Sequence, residues 1–146
     1  MIEREDKSRY TSVRGLFTLS YPETWSLTSE EQGIVSLSDR TESAAVTVSA
    51  AKHESEAFIA DACQQLRRYV SQFSSKVDRL EVIECSPALA IGEYVSPAGD
   101  YWRVQFKASR NIVVFATYSV KLSDRQTVSD SGAMAILDSI TIMLRT

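Results

Sequence analysis

A chain of 146 residues with 44% hydrophobic and 24% charged residues, 5 Gly and 3 Pro has the size and make-up of one ordinary globular domain; collagenous, disordered and disulfide-dense classes are excluded. Its net charge of −3, with Lys and Arg spread along the chain, shows no basic patch of the kind by which nucleic-acid binders neutralise phosphates. No apolar run approaches the ~20 residues that span a bilayer, and the polar start MIEREDKSRY lacks the apolar core of a secretory signal, so the chain reads as cytoplasmic with no membrane span.

Residues 1–14 are polar and without period, and read as a loose N-terminal arm to a single domain over 15–146. Beyond Gly15 the residues Phe17, Leu19 and Tyr21 alternate with Thr18 and Ser20, the mark of a half-buried strand. Pro22 ends it, because proline cannot donate to a ladder. Residues 33–38 and 44–52 form two further strands, joined by the turn-forming DRTES. Links this short make an antiparallel meander, since a parallel pair needs a crossover of a dozen or more residues.

The period then changes. Phe58, Ile59, Ala62, Leu66, Tyr69, Val70 and Phe73 share one helical stripe, and the pattern predicts a helix over 56–74. Ser55 is placed as its N-cap. Glu54, Glu56 and Asp61 gather at its start and Arg67, Arg68 and Lys76 towards its end, as the helix dipole favours.

Strand-like patterns resume from 79 to 121, with Pro87 as an interruption. Ser96-Pro97-Ala98-Gly99 reads as a type I turn with Pro second and Gly fourth. Along 101–109, Trp102, Val104, Phe106 and Ala108 point one way, with Tyr101, Arg103, Gln105 and Lys107 opposite. The strand 112–121 is apolar on both faces, through Ile112, Val114, Ala116 and Tyr118 on one and Val113 and Phe115 on the other, so it is central and covered twice. Ala133, Ile136, Leu137, Ile140 and Leu144 mark a last helix within 124–144, which the β-branched run Ile140-Thr141-Ile142 weakens at its end. Strands in runs, with helices between and after them, predict an α+β fold. The expected architecture is a largely antiparallel sheet of about six to seven strands flanked by two main helices.

An early strand closing in FTLSYPETW (17–25), then hairpin, long helix, meander and a terminal ILDSITI (136–142), resembles the PsbP-like family. That family includes an extrinsic photosystem II subunit, a Ran-binding import factor and bacterial effector chaperones. The resemblance spans about residues 15–144 and implies an α/β/α sandwich that binds another protein without catalysis. The matching residues Tyr21, Pro22 and Trp25 are structural: the Trp plugs one end of the core and the Pro stops the strand.

The chemistry of the chain agrees with that implication. With a single histidine, His53, it lacks the partners for triads and His-based zinc sites. It contains no HExxH, CxxC, GxSxG, GxGxxG or P-loop. No catalytic, metal-binding or cofactor-binding residue is therefore assigned. His53 with Glu54 and Glu56 reads as a solvated loop, since one His with flexible acids makes poor ligand geometry. Cys63 and Cys85, in a helical and a strand pattern among apolar neighbours, read as buried reduced thiols rather than a bridge. Asp78, Glu81, Glu84 and Glu93 show no pairing spacing.

The candidate interaction residues are Tyr101 and Arg103, of the types that anchor interfaces, and Arg67 and Arg68 on the polar helix face with Gln64 and Gln72. The function expected is a protein-binding module, an adaptor, chaperone or immunity-like partner. The alternative is a small-ligand or lipid pocket between sheet and helix, left by Ala44, Ala45, Ala50, Ala51, Ala88, Ala90 and Gly92. Close helix packing is the plainer meaning of those small residues.

Overall fold

The computed structural model describes residues 7–31, 33–72, 80–125 and 127–144. Residues 7–11, expected in a loose arm, instead form β1 (Lys7–Thr11), antiparallel to β2 (Phe17–Pro22) with Tyr10 opposite Leu19. The anchor is Tyr10, whose ring lies 6.4 Å from that of the buried Phe17. Next comes β3 (Trp25–Glu31), a strand not expected because WSLTSEE lacks a sustained apolar alternation. It is an edge strand, where such polar composition guards against pairing with other chains. β4 (Ile34–Asp39) and β5 (Ala44–Lys52) form a meander with β3 rather than with β2, which was expected as its first strand but pairs with β1 in a separate sheet.

The helix α1 (Ala62–Gln72) starts six residues later than its apolar stripe predicts. Tertiary hydrogen bonds explain the delay: His53 N–H donates to Asn111 O at 2.8 Å and Ala60 N–H to Arg110 O at 2.6 Å, which hold 53–61 as a strap. Asp61, not Ser55, caps the helix, its Oδ1 accepting from Gln64 N–H at 3.1 Å. Two more first-turn donors go to carbonyls outside the helix, Ala62 to Pro87 at 2.8 Å and Cys63 to Ser86 at 3.1 Å; such donors otherwise have no partner. Phe58 and Ile59, placed on the stripe, are exposed. Phe73 and Lys76 lie outside the described residues.

β6 (Glu81–Cys85), β7 (Leu89–Val95), β8 (Asp100–Ser109) and β9 (Ile112–Lys121) follow, each antiparallel to the next. The turn before β8 forms as expected, with Gly99 N–H on Ser96 O at 2.9 Å. A 3₁₀ turn at Leu122–Asp124 leads to α2 (Thr127–Ser139), and the β-branched run then leaves the helix as β10 (Thr141–Ile142).

The main sheet has seven strands in the order β3-β4-β5-β9-β8-β7-β6, and a smaller one has the order β1-β2-β10. β9 is thus the central strand, as its two apolar faces require. One face packs Val104, Phe106, Ala108 and Ala90 under α1 through Leu66 and Ala62. The other packs Val35, Leu37, Val46, Val48 and Tyr118 under α2 and the small sheet, with Trp25 in this core. Ser139 joins α2 to β2: its Oγ accepts from Ser20 N–H at 2.8 Å and donates to Ser20 O at 3.0 Å. The fold is α+β, helix on each side of an antiparallel sheet.

Cys63 and Cys85 are joined, which corrects the reading as reduced thiols: a disulfide ties α1 to the edge strand β6, with Cα atoms 4.7 Å apart. Cys63, between Ala62 and Gln64 on α1, and Cys85, between Glu84 and Ser86 on the exposed β6, are brought together by the packing of α1 against this edge of the sheet. That proximity across the layers is invisible in a one-dimensional pattern.

Candidate functional site

The four residues singled out from the sequence divide between the two faces of the sheet. Arg67 and Arg68 are exposed on α1, where each is free of ion pairs among the described residues. Tyr101 and Arg103 lie on the opposite face. Tyr101 is only 3% exposed, which contradicts its placement as an outward contact. The alternation along β8 is real, but the face read as solvated is covered by α2.

The polar groups of that covered face hold α2 at both ends. At its start, Asp130 accepts from Tyr118 OH at 2.6 Å and from Arg125 Nε at 2.8 Å. The Arg125 guanidinium lies 3.8 Å above the Tyr101 ring, and Tyr101 OH donates to Glu93 Oε2 at 2.7 Å. At the other end the final carbonyls of a helix need donors. Lys107 Nζ supplies Leu137 O at 3.2 Å and Ile140 O at 2.9 Å, and buried Gln105 Nε2 also reaches Leu137 O at 3.2 Å. Arg103 Nε is buried without a hydrogen-bond partner among the described residues. The arrangement is a clasp for the helix.

Burial, then the Glu93 carboxylate, pushes the Tyr101 phenol up to about 12. The folded chain therefore keeps a proton that the unfolded chain gives up near the usual 10. Stability from this group is complete below pH 10 and falls as pH rises towards 12. Tyr94, raised chiefly by burial, adds the same sign. Urea titrations at pH 9 and pH 11.5 should therefore show a steeper loss for the native chain than for Tyr101→Phe; equal losses would remove the argument.

Open chemistry sits at one end of the sandwich instead. There the β1–β2 hairpin turns through Ser12-Val13-Arg14-Gly15, with Gly15 N–H on Ser12 O at 2.9 Å and Ser12 Oγ accepting from Leu16 N–H at 2.9 Å. Gly15 takes φ 70, the left-handed state glycine enters freely. The turn projects Arg14 outward, and Val13 with it at 82% exposure. Beside it the β8–β9 hairpin turns on two residues, Arg110 and Asn111, and Arg110 holds φ 52 although it is not glycine. Asn111 Nδ2 donates to His53 O at 2.7 Å, fixing the strap to this turn. His53 itself stacks on Phe58 with ring centres 4.2 Å apart and accepts from Ser55 N–H at 3.0 Å.

Between these pieces lies an open cleft of about 870 Å³, lined by Arg14, Lys52 and Arg110, with Glu56, Leu16 and Met143. A second cleft of about 420 Å³ shares Arg14 and Leu16 and runs on to Gly33, Ser49 and Ala50. Neither is lined by α1 or α2, so both lie away from the sheet–helix layers where a pocket was expected. Among the described residues no carboxylate is within ion-pair distance of Arg14, Lys52 or Arg110. Also among them, no group of three or more His, Cys, Asp or Glu is placed to hold a metal ion, and no helix is long and apolar enough to cross a membrane. Sequence reasoning missed this end because the three cations are single residues at turns and a strand end. The one local signal was the non-glycine pair Arg110-Asn111 at a two-residue hairpin turn, where glycine or asparagine leads.

No protein-family model matches the chain, and no curated protein matches it by sequence. Solved structures do match by shape. A protein from Bacteroides thetaiotaomicron VPI-5482 superposes with a TM-score of 0.66 at 13% identity over 97% of the chain. The chain spans 50% of the length of that protein. The cyanobacterial PsbP (CyanoP) of Synechocystis sp. PCC 6803 matches with TM-score 0.64 at 12% identity, over 97% of this chain and 95% of that one. The Ran-binding protein Mog1p of Saccharomyces cerevisiae matches with TM-score 0.60 at 7% identity, over 95% and 96%. The chain has the PsbP-like fold, and at these identities the likeness is one of fold alone.

Proposed function

We propose that the chain is a non-catalytic module that binds another protein through the basic, apolar end of the sandwich, as an adaptor, chaperone or immunity-like partner. The observation that carries this reading is the cleft in which Arg14, Lys52 and Arg110 stand together without ion-pair partners among the described residues. In a chain of net charge −3, a local cationic cluster beside exposed Val13 and Met143 favours steered encounter with an acidic surface. A same-fold neighbour described as Ran-binding supports a protein partner by analogy of fold. The disulfide favours an oxidising compartment over the reducing cytosol.

The test is affinity capture of the tagged chain from its native host, alongside an Arg14→Glu/Arg110→Glu variant. One stoichiometric partner, reduced at least tenfold by the variant, is expected; retention of that partner at full yield would move the contact elsewhere. The variant should keep its melting temperature, because exposed substitutions cost about 0.5 kcal/mol or less.

Arg110→Gly separates stability from binding. A non-glycine residue in the left-handed region costs roughly 1–2 kcal/mol, and glycine returns roughly 0.5–1 kcal/mol of that through its freer unfolded state. The variant is expected to melt about 2 °C higher while holding its partner less well. A loss of both, or of neither, would show that Arg110 is not strained on behalf of binding.

A further inference from the structure

We infer that the groove along the smaller cleft is a strand-addition site, taking an extended segment of a partner that presents aliphatic and then acidic residues along one face. This deepens the protein-binding reading and rests on it.

The first observation is a free sheet edge inside the domain. β5 pairs with β9 over its whole length, from Ala44↔Val120 to Lys52↔Ile112. On its other side β4 reaches only from Ser38↔Ala45 to Val35↔Val48. The β3–β4 hairpin turns back at Gly33, with φ 80, so residues 49–52 have a strand on one side and none on the other among the described residues. An unpaired edge offers a row of backbone donors and acceptors to an incoming strand. Four residues give a run of about 13 Å, enough for a short segment.

The second observation is what lies beside that edge. The 420 Å³ cleft opens directly on Ser49 and Ala50 and is bounded across the gap by Val13, Arg14, Leu16 and Phe17. A Cβ built on Gly33 would meet nothing within 4 Å, so the entrance at that end is open. At the far end the groove meets Lys52 and Arg110. A strand laid here places alternate side chains against Leu16 and Phe17. Further along the same face come Arg14, Lys52 and Arg110, so acids there are complementary. Backbone pairing then supplies affinity, and the change from aliphatic to acidic residues along that one face supplies specificity.

The test is selection of a displayed random octapeptide library on the full chain. Enriched peptides should carry Val, Ile, Leu or Phe towards one end and at least two Asp or Glu towards the other, at every second position. A synthetic peptide of the enriched sequence should bind the Arg14→Glu/Arg110→Glu variant at least tenfold more weakly. N-methylation of one alternate set of its backbone amides should weaken binding tenfold, and methylation of the other set less than threefold. Enrichment without acids, equal effects of the two methylated sets, or an empty selection overturns strand addition. So does an empty selection from a chain that sediments with phosphatidylglycerol vesicles. A captured folded partner that depends on Arg14 and Arg110, together with an empty selection, keeps the protein-binding reading and discards only the linear segment.

Discussion

Replacing Cys63 and Cys85 together by serine is expected to lower the melting temperature by roughly 6–12 °C. The bridge closes a sequence separation of 22 residues, and cross-linking a loop of that length removes unfolded-state entropy worth about 3 kcal/mol. Each kcal/mol shifts the midpoint of a domain this size by about 2–4 °C. The location makes the figure credible: β6 is an edge strand with all five residues exposed, and β7 is its only sheet neighbour among the described residues. Thermal melts of the native and double-serine chains without reductant read the shift directly. Titration of the unfolded native chain for free thiol should find none. A shift under 2 °C with two titratable thiols would mean that the chain works reduced, and the oxidising compartment would fall with it.

The second large effect is expected at Gly132, in α2. A glycine inside a helix normally gains about 1 kcal/mol on change to alanine. Here the sign reverses, because the new methyl group would overlap the indole nitrogen of Trp25, itself only 3% exposed. A rigid buried indole has nowhere to move, and overpacking of this kind costs about 1–3 kcal/mol. Set against the helix gain, this leaves a net loss of up to about 2 kcal/mol, and Gly132→Ala should melt up to about 8 °C lower. Trp25→Phe removes the obstructing ring, so Gly132→Ala should cost at least about 1 kcal/mol less in that background. Stabilisation by the single change would show that Trp25 does not lie on α2 in solution.

The contrast between these sites explains what the sequence discloses. β5 and β9 were legible residue for residue as 44–52 and 112–121, since a strand buried on one or both faces writes its burial into its own side chains. Trp25 was legible as a core plug for the same reason. β8 was legible as a strand but misleading as a surface. Tyr101, Gln105 and Lys107 are polar because they clasp a helix, and polarity spent inside the molecule looks the same in sequence as polarity facing water. The start of α1 was misplaced because Asn111, 58 residues on from His53, holds the strap. The candidate site was the least legible part. Arg14, Lys52 and Arg110 belong to three different hairpins and strand ends, and only the sheet brings them to one cleft.

The Ser20–Ser139 pair has a consequence for how the chain comes into being. Its partners are 119 residues apart, and β2 receives both its cover from α2 and its third strand, β10, from the last described stretch of the chain. A ribosome delivers β2, β4 and β5 long before the elements that shield them. Their apolar side chains, Phe17, Leu19, Val35, Leu37 and Val46 among them, stay uncovered until α2 and β10 have been made. Nascent chains in that condition are the ones most exposed to aggregation, and a fold so dominated by distant pairing closes slowly. For this molecule, completing the core waits on the arrival of α2 and β10.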